Sequence, residues 1–500
     1  MEPILTPEQM RKLEQAYMER TGTPSIQLME RAALAVARWA MELAGGPGRT
    51  AVFACGSGGN GGDGFAAARL YGQAGGRALV LPVYGEERLA PDAAVNCRLA
   101  RTSPGVVFIA MEDLPRVGLP GLWVDAVFGI GLSRPLDQRC QDLFARMEAD
   151  RLLGAPVLAV DIPSGLNGLT GAAFPGAVRA SHTLTFQCLK AGHCLADGLD
   201  FCGQLRAASL DIPPELLPLD ALVHVTPQDA QAQLVPRRRN CHKGQFGHLL
   251  VVAGSRGMAG AALMAAQAAL RSGAGLVTVA CPESALPVIQ SGAPCAMALP
   301  LPEAEGALAQ AAAPLLRRAL EGKTAAAVGP GLSLRAHPDS VAAVLESPLP
   351  AVVDADALNL IAQSPALKGL LAPRHLITPH PGEAARLLGG TAQGPLDALE
   401  RLRALGPTVL YKGAATLTAG ETGRYIRTSG CPGMAKGGSG DVLTGMLGAL
   451  LAQGYPVEQA AWMGAVLHGL AGELAQSQWG HTAMTPWDMI EALPQVWTHG

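Results

Sequence analysis

Two glycine runs carry acids where an acid can do work. GGNGGDG at 58–64 follows an apolar run and opens a helical pattern, and KGGSGD at 436–441 feeds directly into VLTGMLGALLAQG. Glycine lets backbone approach an anion closely, and a helix N-terminus offers unpaired N–H groups to negative charge. Such turns suit phosphate. In the first, Asn60 and Asp63 add oxygen-bearing side chains that a purely structural glycine turn does not need. In the second, Asp441 stands beside a nest of amides that can hold charge on a phosphoryl group in transit, where a carboxylate can take the proton of an attacking hydroxyl. Read blandly, Asp441 is only a helix cap.

Two further acids, Asp125 in WVDAVFGIGLSRP and Asp161 in AVDIPSGLNG, end β-rich runs. The carboxyl edge of an open parallel sheet is where ligands collect. One such acid alone reads equally well as a turn cap, but three elements converging on one edge read as a site.

The elements that must position these residues alternate. TAVFAC, ALVLPVY, GVVFIA, LWVDAVF and PVLAVDI are separated by helical segments between Thr50 and about Leu210, and the alternation restarts with GHLLVVAG at 247 and continues to TVLYKGAATLTAG at 408–420. Alternation of this kind predicts βαβ units and parallel sheets, an α/β fold. The polar, proline-containing passage 210–240 separates two such runs and puts a domain boundary near 215–225, giving units 1–218 and 219–500. MAGAALMAAQAALRSGAG predicts a buried helix, and EAEGALAQAAAPLLRRALEG at 303–322 predicts a surface helix.

Five hundred residues are too many for one ordinary domain, and 49% apolar against 16% charged residues supplies ample core. A net charge of −3 offers no domain-wide basic surface, so nucleic acid is not an expected partner. No basic segment followed by an apolar one opens the chain, and the longest apolar stretch is shorter than the ~18–20 residues a bilayer crossing requires, so no membrane partner is expected. Ten cysteines without a CxxC pair point to reduced thiols and a cytoplasmic setting. Cys188, His193, Cys194 and Cys202 have zinc-binding side chains at a spacing that fits no zinc motif, so packing is expected of them. No GxxxxGK[ST] loop is present.

NGGDG, DAVFGIGLSRP and DIPSGLNG, in that order and preceded by QMRKLE and PSIQLMERA, closely resemble the NAD(P)H-hydrate epimerase family over about residues 5–215, which implies a Rossmann-like first unit. The resemblance implies that Asn60, Asp125 and Ser164 hold a potassium ion. It also implies that Gly59, Asn60, Gly61, Gly62, Asp63, Gly129, Ile130, Gly131, Leu132, Ser133, Arg134, Pro135 and Asp161 contact a hydrated nicotinamide nucleotide. Where many members read NNGGDG, this chain has Gly59, which removes one side chain from the ligand's reach. Epimerising a hydroxyl-bearing carbon beside a ring nitrogen needs ring opening or transient loss of water, with an acid/base group at that carbon. Asp161 is the candidate. Oxygen ligands from Asn, Asp and Ser suit a hard cation and not a redox metal.

The second glycine loop resembles that of the ribokinase-like superfamily. GSRGMAGAALMAAQAALRSGAGLVTV, VGPGL, VVDADALN, LITPHPGE and VLYKGAATLT narrow the similarity to the ADP-dependent NAD(P)H-hydrate dehydratase family over about residues 225–495. This implies that Ala261, Gly331, His380 and Asp441 contact the hydrate, and that Lys412, Gly413, Ala414, Ala415, Thr416 and Gly440 bind ADP, with Asp441 as the base. Magnesium is expected on the nucleotide phosphates. Two fused activities would let both epimers of a spontaneously hydrated cofactor be repaired, and a homo-oligomer is expected because relatives of the first unit associate. The competing readings are a ribokinase-type small-molecule kinase with a dinucleotide-binding regulatory domain, which predicts a stable phosphorylated product, and a non-catalytic scaffold, against which the joint presence of Asn60, Asp63, Asp125 and Asp161 argues.

Overall fold

The computed structural model of the chain describes residues 1–497; positions 498–500, at the end of the second expected domain, lie outside the described residues. The chain divides into two compact units, one formed by Pro3–Leu222 and the other by Val223 onward with the first two residues.

Seven strands build the sheet of the first unit: β1 (Thr50–Cys55), β2 (Arg77–Pro82), β3 (Val106–Phe108), β4 (Leu122–Ala126), β5 (Val157–Val160), β6 (His182–Phe186) and β7 (Gln204–Ala208). They run parallel in the order β3-β2-β1-β4-β5-β6-β7. Val52, Phe53, Val124 and Leu158 are all buried, as a sheet covered on both faces requires. The chain winds outward from β1 to β3 and then returns to the other side of β1 at β4, so the connections after β1 and β4 part in opposite directions. The crevice opened there is the ligand position of this topology.

In the second unit the strands β8 (His248–Val252), β9 (Leu276–Pro282), β10 (Met297–Leu301), β11 (Ala325–Val328), β12 (Ala351–Val353), β13 (His375–Ile377), β14 (Thr408–Tyr411), β15 (Thr416–Ala419) and β16 (Arg424–Arg427) lie in the order β10-β9-β8-β11-β12-β13-β14-β15-β16. All neighbours are parallel up to β14; β15 and β16 return antiparallel. Parallel order brings the residues that follow β11, β12, β13 and β14 to one edge. The helix Ser439–Ala452 packs closely on Ala259–Arg271, because a Cβ at Gly445 would fall 2.1 Å from the Ala265 carbonyl oxygen.

Two expectations are corrected. Residues 303–322 are not one helix: Glu303–Ala304 pairs antiparallel with Ala307–Leu308, and helix begins only at Ala312. Glu305 and Gly306 both have positive φ, the two-residue turn that tightens a hairpin, and the alanine-rich composition conceals it. The glycine run 58–64 is also more ordered than a turn, since helix starts at Gly59 and carries Asn60 and Asp63 in its first turns. Among the described residues no helix is long and apolar enough to cross a membrane.

Candidate active sites

The crevice of the first unit is a cavity of about 630 Å³. Gly59, Asn60 and Asp63 line it from the helix after β1, Gly129 to Arg134 from the loop after β4, and Asp161 from the end of β5. Not every expected contact faces it. Gly61 and Gly62 serve packing, since a Cβ on Gly61 would fall 1.9 Å from the Gly56 carbonyl oxygen and one on Gly62 would strike Met29. Pro135 is not among the lining residues, and a Cβ at Gly59 would meet nothing within 4 Å.

Asp161 is held in the left-handed region at φ 65°, a strained conformation for a residue with a side chain and one that collects at functional sites. Its Oδ1 accepts hydrogen bonds from Lys190 Nζ at 2.7 Å and Thr185 Oγ1 at 2.8 Å. Lys190 is 1% exposed and also donates to Thr185 Oγ1 and the Phe186 carbonyl, so all three of its donors are engaged. Asp161 Oδ2 has no partner among the described residues and is the oxygen left for a ligand. Burial alone would raise the Asp161 carboxyl, but the Lys190 ammonium, with help from His193 and Thr185, holds it below the ordinary range. His193 accepts the Lys190 N–H at Nδ1, so its Nε2 carries the proton and donates to the Asp161 carbonyl at 2.8 Å. Burial, then the neighbouring ammonium, pushes this imidazole down to about 4, so it stays neutral. His193, one of the four residues considered for zinc, thus braces Asp161, and Cys188, Cys194 and Cys202 are buried.

Asp125 and Ser164 are buried and are not among the residues lining the cavity. Asp125 is fully buried with no ion-pair partner among the described residues, and it accepts hydrogen bonds from the Ser164 amide at 2.8 Å and hydroxyl at 2.6 Å. Burial raises it to about 6 despite those bonds. The Ser164 hydroxyl oxygen also receives the Phe128 N–H, and Asn60 Nδ2 donates to the Phe128 carbonyl at 3.0 Å. The three expected potassium ligands are therefore linked in one chain of hydrogen bonds, Asp125 to Ser164, Ser164 to Phe128 and Phe128 to Asn60, with a buried carboxylate among them that has no ion-pair partner among the described residues.

In the second unit Gly331, Asp354, His380 and Lys412 follow β11, β12, β13 and β14 at the common edge. Lys412 Nζ donates to Asp354 Oδ1 at 2.6 Å and lies 3.9 Å from Glu383, while Thr444 Oγ1 donates to the other Asp354 oxygen at 2.7 Å. Burial opposes charge on both partners, yet their attraction prevails, holding Asp354 low and Lys412 high. Gly440 adjoins this pair, as a Cβ there would lie 3.4 Å from Lys412 Nζ. Ala261 and Gly331 adjoin each other, and Gly413 and Ala414 are exposed in the turn between β14 and β15, whereas Ala415 and Thr416 point inward. His380 caps the helix Pro381–Leu388, its Nδ1 accepting the Gly382 N–H at 3.0 Å. Burial, then Lys412 and Arg386, lowers it.

Asp441 is not a cap. Gly438, at φ 105°, caps the helix and Asp441 is its third residue. Burial first, then the Asp354 carboxylate, raises Asp441 to about 7 against the pull of Lys412, which suits a base working near neutrality. His468 donates from Nε2 to the Ser439 carbonyl at 2.9 Å and fixes the first residue of that helix.

Sequence reasoning missed Lys190 and Thr185 around Asp161, expected only packing of His193, and missed Asp354, Glu383 and Thr444 around Lys412. Asp354 was open to discovery, since it ends a β-rich run in VVDADALN just as Asp125 and Asp161 end theirs. Nothing in QCLKAGHC marks Lys190.

Residues 25–192 match the family model of the YjeF-related protein N-terminus, and residues 249–495 match that of NAD(P)H-hydrate dehydratase. The bifunctional NAD(P)H-hydrate repair enzyme Nnr of Moorella thermoacetica is 36% identical, the match covering 99% of this chain and 96% of that protein. The corresponding Escherichia coli protein is 35% identical over 88% and 84% of the two chains. Among solved structures, the ADP/ATP-dependent NAD(P)H-hydrate dehydratase from Bacillus subtilis co-crystallized with ATP/Mg2+ is 28% identical with a TM-score of 0.45, covering 55% of this chain and 98% of that one.

Proposed function

The chain belongs to the family of bifunctional NAD(P)H-hydrate repair enzymes, and from that premise we propose that its first unit interconverts the R and S hydrates through Asp161 while its second dehydrates the S form through Asp441, with ADP giving AMP and phosphate. The observation that carries this division is electrostatic: Asp161 at the ligand edge of the first unit is held below the ordinary carboxylate range, whereas Asp441 at that of the second is raised to about 7.

In the first unit Asp161, kept ionised by Lys190, takes the proton of the hydroxyl on the carbon beside the ring nitrogen and later returns it. Asn60, Asp125 and Ser164 would hold potassium, whose charge would offset the buried Asp125 carboxylate and steady the Gly129–Arg134 loop against the nucleotide. In the second unit the hydrate's hydroxyl is a poor leaving group until phosphorylated. Asp441 takes its proton, the amides of 437–440 accept the transferred phosphoryl charge, and expulsion of phosphate is pushed by the ring nitrogen's electrons. Lys412, steadied by Asp354, is the cation for the nucleotide phosphates. Magnesium would come in on the nucleotide, as among the described residues no cluster of three His, Cys, Asp or Glu groups forms a cage.

Incubation of the full chain with S hydrate, ADP and magnesium tests the second half-reaction. One reduced cofactor and one inorganic phosphate are expected for each ADP consumed. A stable phosphorylated product with no reduced nicotinamide absorbance would overturn the reading in favour of a small-molecule kinase.

A further inference from the structure

The QMRKLE run lies on the helix Pro7–Thr21 and has no part in the two sites as described. Met10, Leu13 and Tyr17 are buried in the core, whereas Arg11, Glu14 and Met18 form the adjoining stripe, three and four residues apart, and line the crevice. Strand pairing fixes where that stripe sits. Leu5 lies opposite Lys190 in a parallel pair, and the next residue, Thr6, caps the helix in a box completed by Gln9. The segment that sets Lys190 against Asp161 therefore also anchors the helix that presents Glu14. The Glu14 carboxyl accepts no hydrogen bond among the described residues and opens onto the cavity that Asp161 also faces.

Resting on the reading of Asp161 as one proton carrier, we infer that Glu14 is the second, a catalytic residue that protonates the ring nitrogen of the hydrate as Asp161 takes the hydroxyl proton. The step balances without a co-reactant. As Asp161 removes the hydroxyl proton, the oxygen's electron pair forms the carbonyl bond of an aldehyde. The ring carbon–nitrogen bond breaks with its pair passing to nitrogen, which takes the Glu14 proton. After rotation about the adjoining carbon–carbon bond the nitrogen attacks the other face of the aldehyde, Glu14 recovers its proton and Asp161 returns the other to oxygen.

One carboxyl must begin ionised and the other protonated, and the surroundings arrange this. Burial raises Glu14 to about 7; Lys190 opposes that rise, Asp161 adds to it and Arg11 opposes it. A group near neutrality can both give and take a proton. Asp63 also lines the cavity, and burial, then Asp161 and Glu14, raises its carboxyl. Asp92 and Arg134 are the remaining charged groups lining this cavity.

The test is Glu14→Gln in the full chain, supplied with pure R hydrate, the epimers being separated by chromatography. Epimerisation kcat is expected to fall ~10²–10⁴-fold with KM unchanged, as for loss of a general acid. Because the acid must be protonated, the native rate should decline as pH rises through about 7, and that decline should vanish in the variant; Glu14→Asp should restore part of the rate. A Glu14→Gln enzyme that epimerises at the native rate, or that slows yet keeps the native pH decline, would overturn the inference. Asp161→Asn run in parallel separates the two layers. Native epimerisation in Asp161→Asn sinks the underlying reading, whereas loss there without loss in Glu14→Gln sinks only the role of Glu14.

Discussion

Asp441→Ala is expected to lower hydrate dehydration by ~10²–10⁴-fold, the usual contribution of a general base, while R and S forms continue to interconvert at the native rate. The helix itself does not depend on this carboxyl, because Gly438 caps it and His468 holds Ser439 in place, so the change removes chemistry and leaves the anion-binding loop standing. Alanine also relieves the repulsion between Asp441 and Asp354, so nucleotide affinity should hold or rise as kcat collapses. The native enzyme should speed up with rising pH through about 7, where Asp441 ionises, and the residual activity of the variant should not follow that rise. Dehydration rates measured on pure S hydrate from acid to alkaline pH check both. A variant that retains the native rate, or one that still shows the native rise, would remove Asp441 from the role of base.

Asp161→Asn should do the reverse, confining repair to whatever S hydrate is present. Asparagine preserves the shape and the Oδ1 acceptor for Lys190 and Thr185, which matters because truncation to alanine would strand a buried ammonium at a cost of about 3–5 kcal/mol. What it removes is the carboxylate charge, which both oxygens share, and with it the capacity to take a proton; the buried Lys190 keeps a hydrogen-bond acceptor but loses its counter-charge. Interconversion of purified R hydrate is expected to fall ~10²–10⁴-fold, with dehydration of S hydrate at the native rate. Equal damage to both activities would undo the division of labour between the units.

Much of this was legible in the chain. The strand alternation implied both parallel sheets, and the rule that acids at strand carboxyl ends mark ligand edges pointed to Asp125 and Asp161, of which Asp161 lines the cavity, because that rule needs only local sequence and the direction of the strands. Residues that act through long-range contacts left no local trace. Lys190 is 29 residues from Asp161 and Asp354 is 58 from Lys412, and each pair forms only once the sheet has brought its strand ends together. Gly61 and Gly62 show the converse: motif membership suggested ligand contact, whereas the demand they answer is steric, the approach of Gly56 and Met29. Glycine in such a turn serves packing and anion approach with the same residue type, and only the coordinates separate the two.

The most direct measurement mixes the two single variants, Asp161→Asn and Asp441→Ala, in one solution with both hydrate epimers, ADP and magnesium, and follows reduced nicotinamide absorbance before spontaneous interconversion contributes. Each variant alone should fall short, the first stopping at the S fraction and the second regenerating almost nothing. Together they should regenerate cofactor from the whole mixture, because each contributes the intact site that the other lacks. A mixture that stops at the S fraction would contradict the assignment of the two half-reactions to separate sites built on Asp161 and Asp441.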